Sequence, residues 1–147
     1  MPPTAAALAP QEPELQAFLA GLEPATALRV RTLAHAWALA GGSLAIGRLS
    51  IRLLGAGADP AHPYTAATLH ARAGTAALEL SRVLLHAHGV GPEVWQEWCD
   101  ERAELRAHGF VPQAKFPAVR LDGLGDPAIV RLALGLRDLA RMAPPPT

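Results

Sequence analysis

The chain has 147 residues, of which 50% are hydrophobic and only 5% aromatic, and its 13 basic residues balance its 13 acidic ones. This length fits one domain, and a net charge of zero argues against a protein coated with cations for nucleic acid or anionic membranes. The single cysteine, Cys99, excludes an internal disulfide and favours a reducing compartment.

Signals for secretion or membrane insertion are not visible in the sequence. Met1-Pro2-Pro3 lacks the charged and apolar regions of a signal peptide, and the uncharged stretch 32–47 is too short to span a bilayer. We therefore expect a cytoplasmic protein with no membrane partner. The predicted organisation is a flexible tail over 1–12, a single domain over 13–142 and a Pro-rich tail over 143–147.

Two helices are predicted before the central part of the chain. Apolar residues recur at helical spacing from Pro13 to Gly21 and again from Pro24 to about Ala40. Proline suits the first turn of a helix, and Gly41-Gly42 ends the second helix because glycine readily leaves helical backbone space. A short strand at Ala45-Ile46 follows.

The central part of the chain holds the clearest strand patterns. Residues 48–53 alternate strictly between polar and apolar side chains, and residues 64–72 alternate less cleanly. Between them, the glycines and prolines of 55–63 cannot extend a ladder. The sequence therefore predicts two antiparallel strands joined by a loop.

The register of these two strands decides which side chains share a surface. The alternation places Leu49, Ile51 and Leu53 together on one face, and we expect Leu54 to lie opposite Tyr64. In this register Ser50 faces Thr68 and Arg48 faces His70, and any even-to-even pairing gathers the same polar set on the other surface. That set is Arg48, Ser50, Arg52, Thr68, His70 and Arg72.

This polar set is the predicted binding site for an anionic ligand. Guanidinium groups beside hydroxyls can hold a phosphate or carboxylate by charge-assisted hydrogen bonds. An ordinary solvated sheet face would show the same alternation, so the pattern alone does not prove a site. Nucleic acid is the weaker choice of partner, because bases need aromatic side chains to stack on and only Tyr64 is near.

Residues 76–88 have two interpretations. Helix-forming residues dominate, with Thr75 as the cap and Gly89 as the stop, so a helix is the favoured prediction. The alternative is a strand from Ala77 to Arg82 that leads into a short helix.

The last part of the chain is predicted to be mainly helical. A helix runs from Pro92 to His108, and residues 118–121 could form a short edge strand. Asp126 is the predicted cap of the final helix, with Pro127 as its first residue. This helix is apolar around much of its circumference, so it is either central to the core or docked on a partner, and a homodimer is the simplest such assembly.

These elements predict an α+β domain. We expect a small antiparallel sheet of two to four strands, with about four helices packed mainly on one face.

No sequence motif assigns a catalytic function. The glycine-rich phosphate loops, the dinucleotide fingerprint and the nucleophile elbow are all missing from the sequence. The alternative function considered is a small hydrolase or transferase that uses His70 with Glu79 for acid–base work. The favoured interpretation is a binding or interaction module rather than an enzyme.

Metal and cofactor sites are not predicted. His86, His88, Cys99 and His108 could supply zinc ligands, but their spacing matches no standard zinc site. Cys99 lies among apolar neighbours and is expected to pack as a small hydrophobic residue.

Overall fold

The computed structural model describes residues 9–55 and 61–141 of the chain. Residues 1–8 of the predicted N-terminal tail, residues 56–60 of the predicted loop and the whole predicted C-terminal tail lie outside these residues. Five strands form one antiparallel sheet in which the spatial order follows the chain order. They are β1 (Ser43–Ile46), β2 (Ser50–Gly55), β3 (Tyr64–Arg72), β4 (Thr75–Leu80) and β5 (Ala118–Arg120).

Helices complete the fold and confirm the predicted α+β class. The α-helices are α1 (Glu12–Leu19), α2 (Pro24–Leu39), α3 (Arg82–Ala87), α4 (Pro92–Asp100) and α5 (Asp126–Ala140). Short 3₁₀ segments precede α1 at Ala9–Gln11 and follow α4 at Ala103–His108. The sheet is larger than the two to four strands expected from the sequence, because residues 75–80 and 118–120 also join it.

One face of the sheet is the floor of the hydrophobic core. Ile51, Leu69, Leu78 and Val119 are consecutive cross-strand partners on β2 to β5, and none is more than 2% exposed. Burying an aliphatic side chain of this size stabilises the fold by about 1.5–3 kcal/mol, so this row strongly specifies the register. We call the side of the sheet that carries this row the inner face, and the opposite side the outer face.

The pairing of β2 with β3 keeps the predicted parity but not the predicted register. Ser50 lies opposite His70 and Arg52 opposite Thr68, which is a shift of two residues from the expected pairing. A bulge between Leu53 and Leu54 brings Gly55, rather than Leu54, opposite Tyr64. A shift of two keeps Ser50, Arg52, Thr68 and His70 on their predicted face, because the side-chain period of a strand is two, whereas beyond the bulge Tyr64 is buried.

The predicted start of the strand over residues 48–53 is wrong. Gly47 donates its backbone N–H to the carbonyl of Ser50 at 2.9 Å, which closes a turn between β1 and β2. Leu49 lies in this turn and is 73% exposed rather than buried, and Arg48 lies in the turn as well. The alternating pattern continued into a segment that must reverse the chain, because β1 pairs with β2 and the connection between them is short.

The favoured helix over residues 76–88 is also wrong, and the alternative is close to the observed structure. Strand β4 pairs with β3 on one side and β5 on the other, and α3 begins at Arg82. Ala76, Leu78 and Leu80 are buried, so the period-two pattern agrees with the sheet. The helix propensities of ordinary residue types differ by only a few tenths of a kcal/mol per residue, and by about 0.7 kcal/mol at most. Pairing with a strand on each edge outweighs so small a preference.

The predicted helix from Pro92 to His108 is divided. Helix α4 ends at Asp100, and after Arg102 the chain winds as a 3₁₀ segment. This break brings Phe110 back onto the indoles of α4, with ring centroids 6.2 Å from Trp95 and 6.5 Å from Trp98. A continuous α-helix rises about 1.5 Å per residue and would carry Phe110 away from these rings.

The start of the final helix differs from the prediction by one residue. Gly125 occupies the N-cap position of α5, and Asp126 is the first helical residue, followed by Pro127. The Asp126 carboxylate instead accepts a hydrogen bond from the Thr32 hydroxyl at 3.4 Å.

The apolar residues of α5 are largely core residues. Ile129, Ala133 and Leu136 are fully buried, and Leu134 is the one large exposed aliphatic residue of the helix. Packing within the chain therefore accounts for the pattern that suggested an assembly, and the homodimer stays a prediction.

Helix α5 also holds the C-terminal end of α2. Arg137 donates to the carbonyls of Ala40 and Gly41 at 3.2 and 3.4 Å, and Arg141 donates to Ala40 at 2.8 Å. These carbonyls have no partner within their own helix and carry its negative partial charge. The same guanidinium of Arg137 lies 5.8 Å from the ring centroid of Trp37, which fixes α2 against α5.

None of the described helices combines the length and the apolar character needed to cross a membrane.

Gly42→Ala is expected to destabilise the protein. A Cβ atom at Gly42 would overlap the indole of Trp37, and this ring is held by its own hydrogen bond to the carbonyl of Ser43 at 3.0 Å. Overpacking of this kind costs about 1–3 kcal/mol, so the urea midpoint should fall. The control is Gly91→Ala, where a Cβ would meet no atom within 4 Å. Equal midpoints for both variants would contradict the observed packing of Trp37.

Candidate functional site

The outer face of the sheet carries most of the predicted site residues in two cross-strand rows. One row consists of Ser50, His70, Ala77 and Arg120, and the next consists of Ala45, Arg52, Thr68, Glu79 and Ala118. Each row crosses the sheet through directly opposed residues, whose Cβ atoms lie about 5 Å apart in antiparallel sheets. The outer face therefore brings together polar groups from four separate strands, β2 to β5.

Five of the six predicted site residues lie on β2 and β3. Ser50 and Arg52 are on β2, and Thr68, His70 and Arg72 are on β3, all on the outer face. Arg48 stands apart from them in the turn before β2, where its side chain is exposed. The strand-based pairing of Arg48 with His70 is therefore wrong, because Ser50 occupies that position.

Sequence reasoning missed Arg120 as a site residue. It lies on β5, directly opposite Ala77, while its neighbours Val119 and Leu121 are fully buried. The alternation of Val119, Arg120 and Leu121 was the available signal, since a short strand with two buried apolar residues must point the residue between them outward.

A hollow opens on the outer face where small residues lie between long ones. Ala77 and Ala118 form part of its floor, and His70, Arg72 and Arg120 border it. The cavity measures about 620 Å³, which is within the range of small-molecule sites. The exposed Leu49 also lines it, together with the acidic side chains of Glu79 and Asp122.

The cations of this face have few internal partners. Among the residues that the structure describes, Arg52, Arg72 and Arg120 make no ion pair and no side-chain hydrogen bond. The acid Glu79 instead lies beside His70, with Oε2 3.8 Å from Nε2. Guanidinium groups that are not neutralised within the chain remain available to an external anion.

The geometry of His70 and Glu79 bears on the alternative enzyme function. The two side chains are on the same face of the sheet, as acid–base chemistry would require. Their separation of 3.8 Å exceeds a hydrogen bond, and they are 51% and 37% exposed, so water has free access to both. The hydrolase or transferase stays a prediction; the hydroxyl residue Ser50 lies opposite His70, but the pair is open to solvent rather than enclosed in a cleft.

The histidines and the cysteine considered as metal ligands lie in separate environments. Cys99 is buried in the core, the ring of His88 stacks on Tyr64 with centroids 3.8 Å apart, and His108 lies 3.0 Å from the carbonyl of Asp122. Within residues 9–55 and 61–141, no three His, Cys, Asp or Glu side chains are grouped so that they could hold a metal ion.

The aromatic residue nearest to the predicted site does not serve the outer face. Tyr64 is buried, and its hydroxyl donates to the carbonyl of Ala140 at 3.2 Å. Burial raises the pKa of Tyr64 above its ordinary value, since the phenolate would lose hydration there. The ring is therefore a core contact between β3 and α5, and it offers no stacking platform for a base.

Comparison with known proteins gives no relative for this chain. It matches no family model, and it has no significant similarity to any curated protein or solved structure. A function can therefore be argued only from the residues of the site itself.

Cys99 provides a test of the packing between α4 and the core. Burial, with a smaller effect from Asp100, raises the pKa of the thiol to about 11 from its ordinary 9.0. The unfolded chain ionises first, so the stability should fall as the pH rises between about 9 and about 11. We expect urea midpoints at pH 8 and pH 10 to differ more for the wild type than for Cys99→Ala.

The same thiol should also react slowly. Ellman's reagent attacks the thiolate, which is scarce at pH 8 when the thiol is buried and its pKa is raised. Labelling of native protein should therefore be much slower than labelling in urea. Fast native labelling, or parallel pH dependences of the two proteins, would show that Cys99 is not buried as described.

Proposed function

We propose that the protein is a binding module that receives an anionic group of a protein partner on the outer face of its sheet. The anionic group, a carboxylate or a phosphate, is held in the hollow bordered by His70, Arg72 and Arg120. The observation that supports the proposal is that Arg72 and Arg120 flank a concave surface and have no acidic partner among the described residues. Arg52, in the adjacent row, adds a further positive charge to the outer face.

The floor of the hollow supports this assignment. Ala77 lies between His70 and Arg120 in its cross-strand row, so a ligand atom can approach the sheet between two longer cationic side chains. Thr75, opposite Arg72 on the paired strand, adds a hydroxyl at the border, although it also donates to the carbonyl of Arg72 at 2.9 Å. Paired donors around a small floor suit the planar oxygens of a carboxylate or three oxygens of a phosphate.

Glu79 and Asp122 limit what the hollow can accept. Both acids line it, so it is not a uniformly positive surface, and a densely charged polyanion would meet repulsion as well as attraction. The lack of an exposed aromatic residue on the described part of the outer face further disfavours single-stranded nucleic acid. A discrete anionic side chain on a partner protein is the better fit.

The double substitution of Arg72 and Arg120 by glutamine tests this function. Fluorescently labelled peptides, one rich in glutamate and one with phosphoserine, are titrated with the protein at low salt and at physiological salt. Hydrogen bonds to charged groups contribute about 1.5–3 kcal/mol each, so the loss of affinity should be about tenfold or more. The affinity for the wild type should also fall with added salt, because these cations are exposed.

The control variant removes the same number of positive charges from a different part of the surface. Arg106→Gln with Arg131→Gln removes two exposed arginines from the 3₁₀ segment and from α5, outside the sheet. This control should bind the peptides as the wild type does. The proposal is excluded if both double variants weaken binding equally, or if the wild type prefers a single-stranded oligonucleotide to both peptides.

A further inference from the structure

A second concave site lies away from the two rows of the outer face. It is formed by α3, by the start of α4 and by the segment that precedes β5. The cavity measures about 400 Å³, a size typical of sites that enclose much of a small ligand. None of its lining residues borders the hollow on the sheet.

The floor of this cavity is apolar. Val83, Val90, Pro92 and Trp95 supply it. Trp95 is almost completely buried and stacks on Trp98 with ring centroids 5.8 Å apart. Val83 is 61% exposed at the mouth, where an apolar ligand would remove it from water.

The position of Trp95 is fixed by the chain around it. Its indole N–H donates to the carbonyl of Pro112 at 3.1 Å, and Arg82 donates to the carbonyl of Ala114 at 3.4 Å. These two bonds join α4 and α3 to the same segment and define the walls of the cavity. The floor is therefore preformed, which lowers the ordering cost of binding.

The rim of the cavity is cationic. Arg82, His86 and Lys115 line it, and no Asp or Glu of the described part of the chain does. Nδ1 of His86 lies 3.2 Å from the carbonyl of Val90, so this nitrogen is the one that carries a proton, and Nε2 remains for another partner. Among the described residues, Arg82 and Lys115 have no ion-pair partner.

We infer that this cavity binds a small organic carboxylate, with its hydrocarbon or aromatic body on Trp95 and Val83 and its carboxylate at Arg82 and Lys115. The apolar floor provides affinity for the body of the ligand, and the cationic rim discriminates in favour of a negative head group. A neutral or cationic molecule of the same shape would make the apolar contacts with the floor but not the favourable interaction with the cationic rim. This site is separate from the proposed site on the outer face and differs from it in its apolar floor.

Octanoate, 1-octanol and octylammonium form a matched set of probes. Each is titrated into ¹⁵N-labelled full-length protein, with the indole N–H resonance of Trp95 as the reporter. Octanoate should shift this resonance saturably, and octanol and octylammonium should bind at least tenfold more weakly. Equal affinity for octanoate and octanol would overturn the proposal, because no head group would then be recognised.

Two substitutions at exposed positions localise the binding without threatening the fold. Lys115→Gln removes a cation of the rim and should weaken octanoate binding about threefold to tenfold, while leaving octanol unaffected. Val83→Glu places a carboxylate at the mouth and should weaken octanoate binding at least tenfold. The control is Leu28→Glu on α2, which makes the same kind of change at an exposed residue outside the cavity. Equal effects of the two glutamates would overturn the assignment.

If something other than a carboxylate occupies this cavity, the same variants and titrations give a different result. The Arg72→Gln and Arg120→Gln double variant should bind octanoate normally, so failure of the outer-face function leaves this site intact. Self-association that Val83→Glu abolishes, together with no response to octanoate, would assign the cavity to a second copy of the chain and overturn the proposal.

Discussion

The structure depends on one cross-strand row of aliphatic side chains. Ile51, Leu69, Leu78 and Val119 belong to four different strands, and all four are removed from water on the inner face. A slip of one residue in any strand would expose its member of the row and bury a polar neighbour, so the row strongly selects one register. In the same register, the residues that precede and follow each member of this row along its strand point to the outer face.

The helices cover this row and complete the hydrophobic core. Helix α2 packs against α5 and contacts β1 and β4, and the buried Arg137 joins the end of α2 to α5. One nitrogen of this guanidinium, Nη1, has no hydrogen-bond partner, and burial lowers the pKa of Arg137. Desolvation of this side chain is unfavourable, and its hydrogen bonds to the carbonyls of Ala40 and Gly41, just after α2, offset part of that cost.

With the inner face filled, the two proposed binding sites lie on outer surfaces that are concave. The hollow over Ala77 arises because a small residue lies between His70 and Arg120, and the cavity beside Trp95 arises where α3 turns into α4. Both are bordered by arginines without ion-pair partners among the described residues. They differ in their floors, since the first is a sheet surface of small residues and the second is apolar and partly aromatic.

The sequence predicted the class of the fold and the face of most site residues, because side-chain alternation survives an error in register. It could not place the turn at Leu49, because the pattern gives no sign that residues 47–49 reverse the chain between β1 and β2. It favoured a helix over 76–88 because helix-forming residues dominate there, whereas β4 is held by a tight hairpin to β3 and by β5, which is distant in the chain. Arg120 was missed although it alternates with Val119 and Leu121, because β5 has only three residues and so short a pattern is a weak signal by itself.

The separation of the two faces of the sheet can be measured directly. Thr68 and Ala77 carry methyl groups on the outer face, and Leu69 and Leu78 carry methyl groups in the inner row. A soluble gadolinium chelate should strongly enhance the relaxation of the Thr68 and Ala77 methyl protons and barely affect those of Leu69 and Leu78. Equal or inverted enhancement along β3 and β4 would contradict the register, and with it the assignment of the cations to an open face.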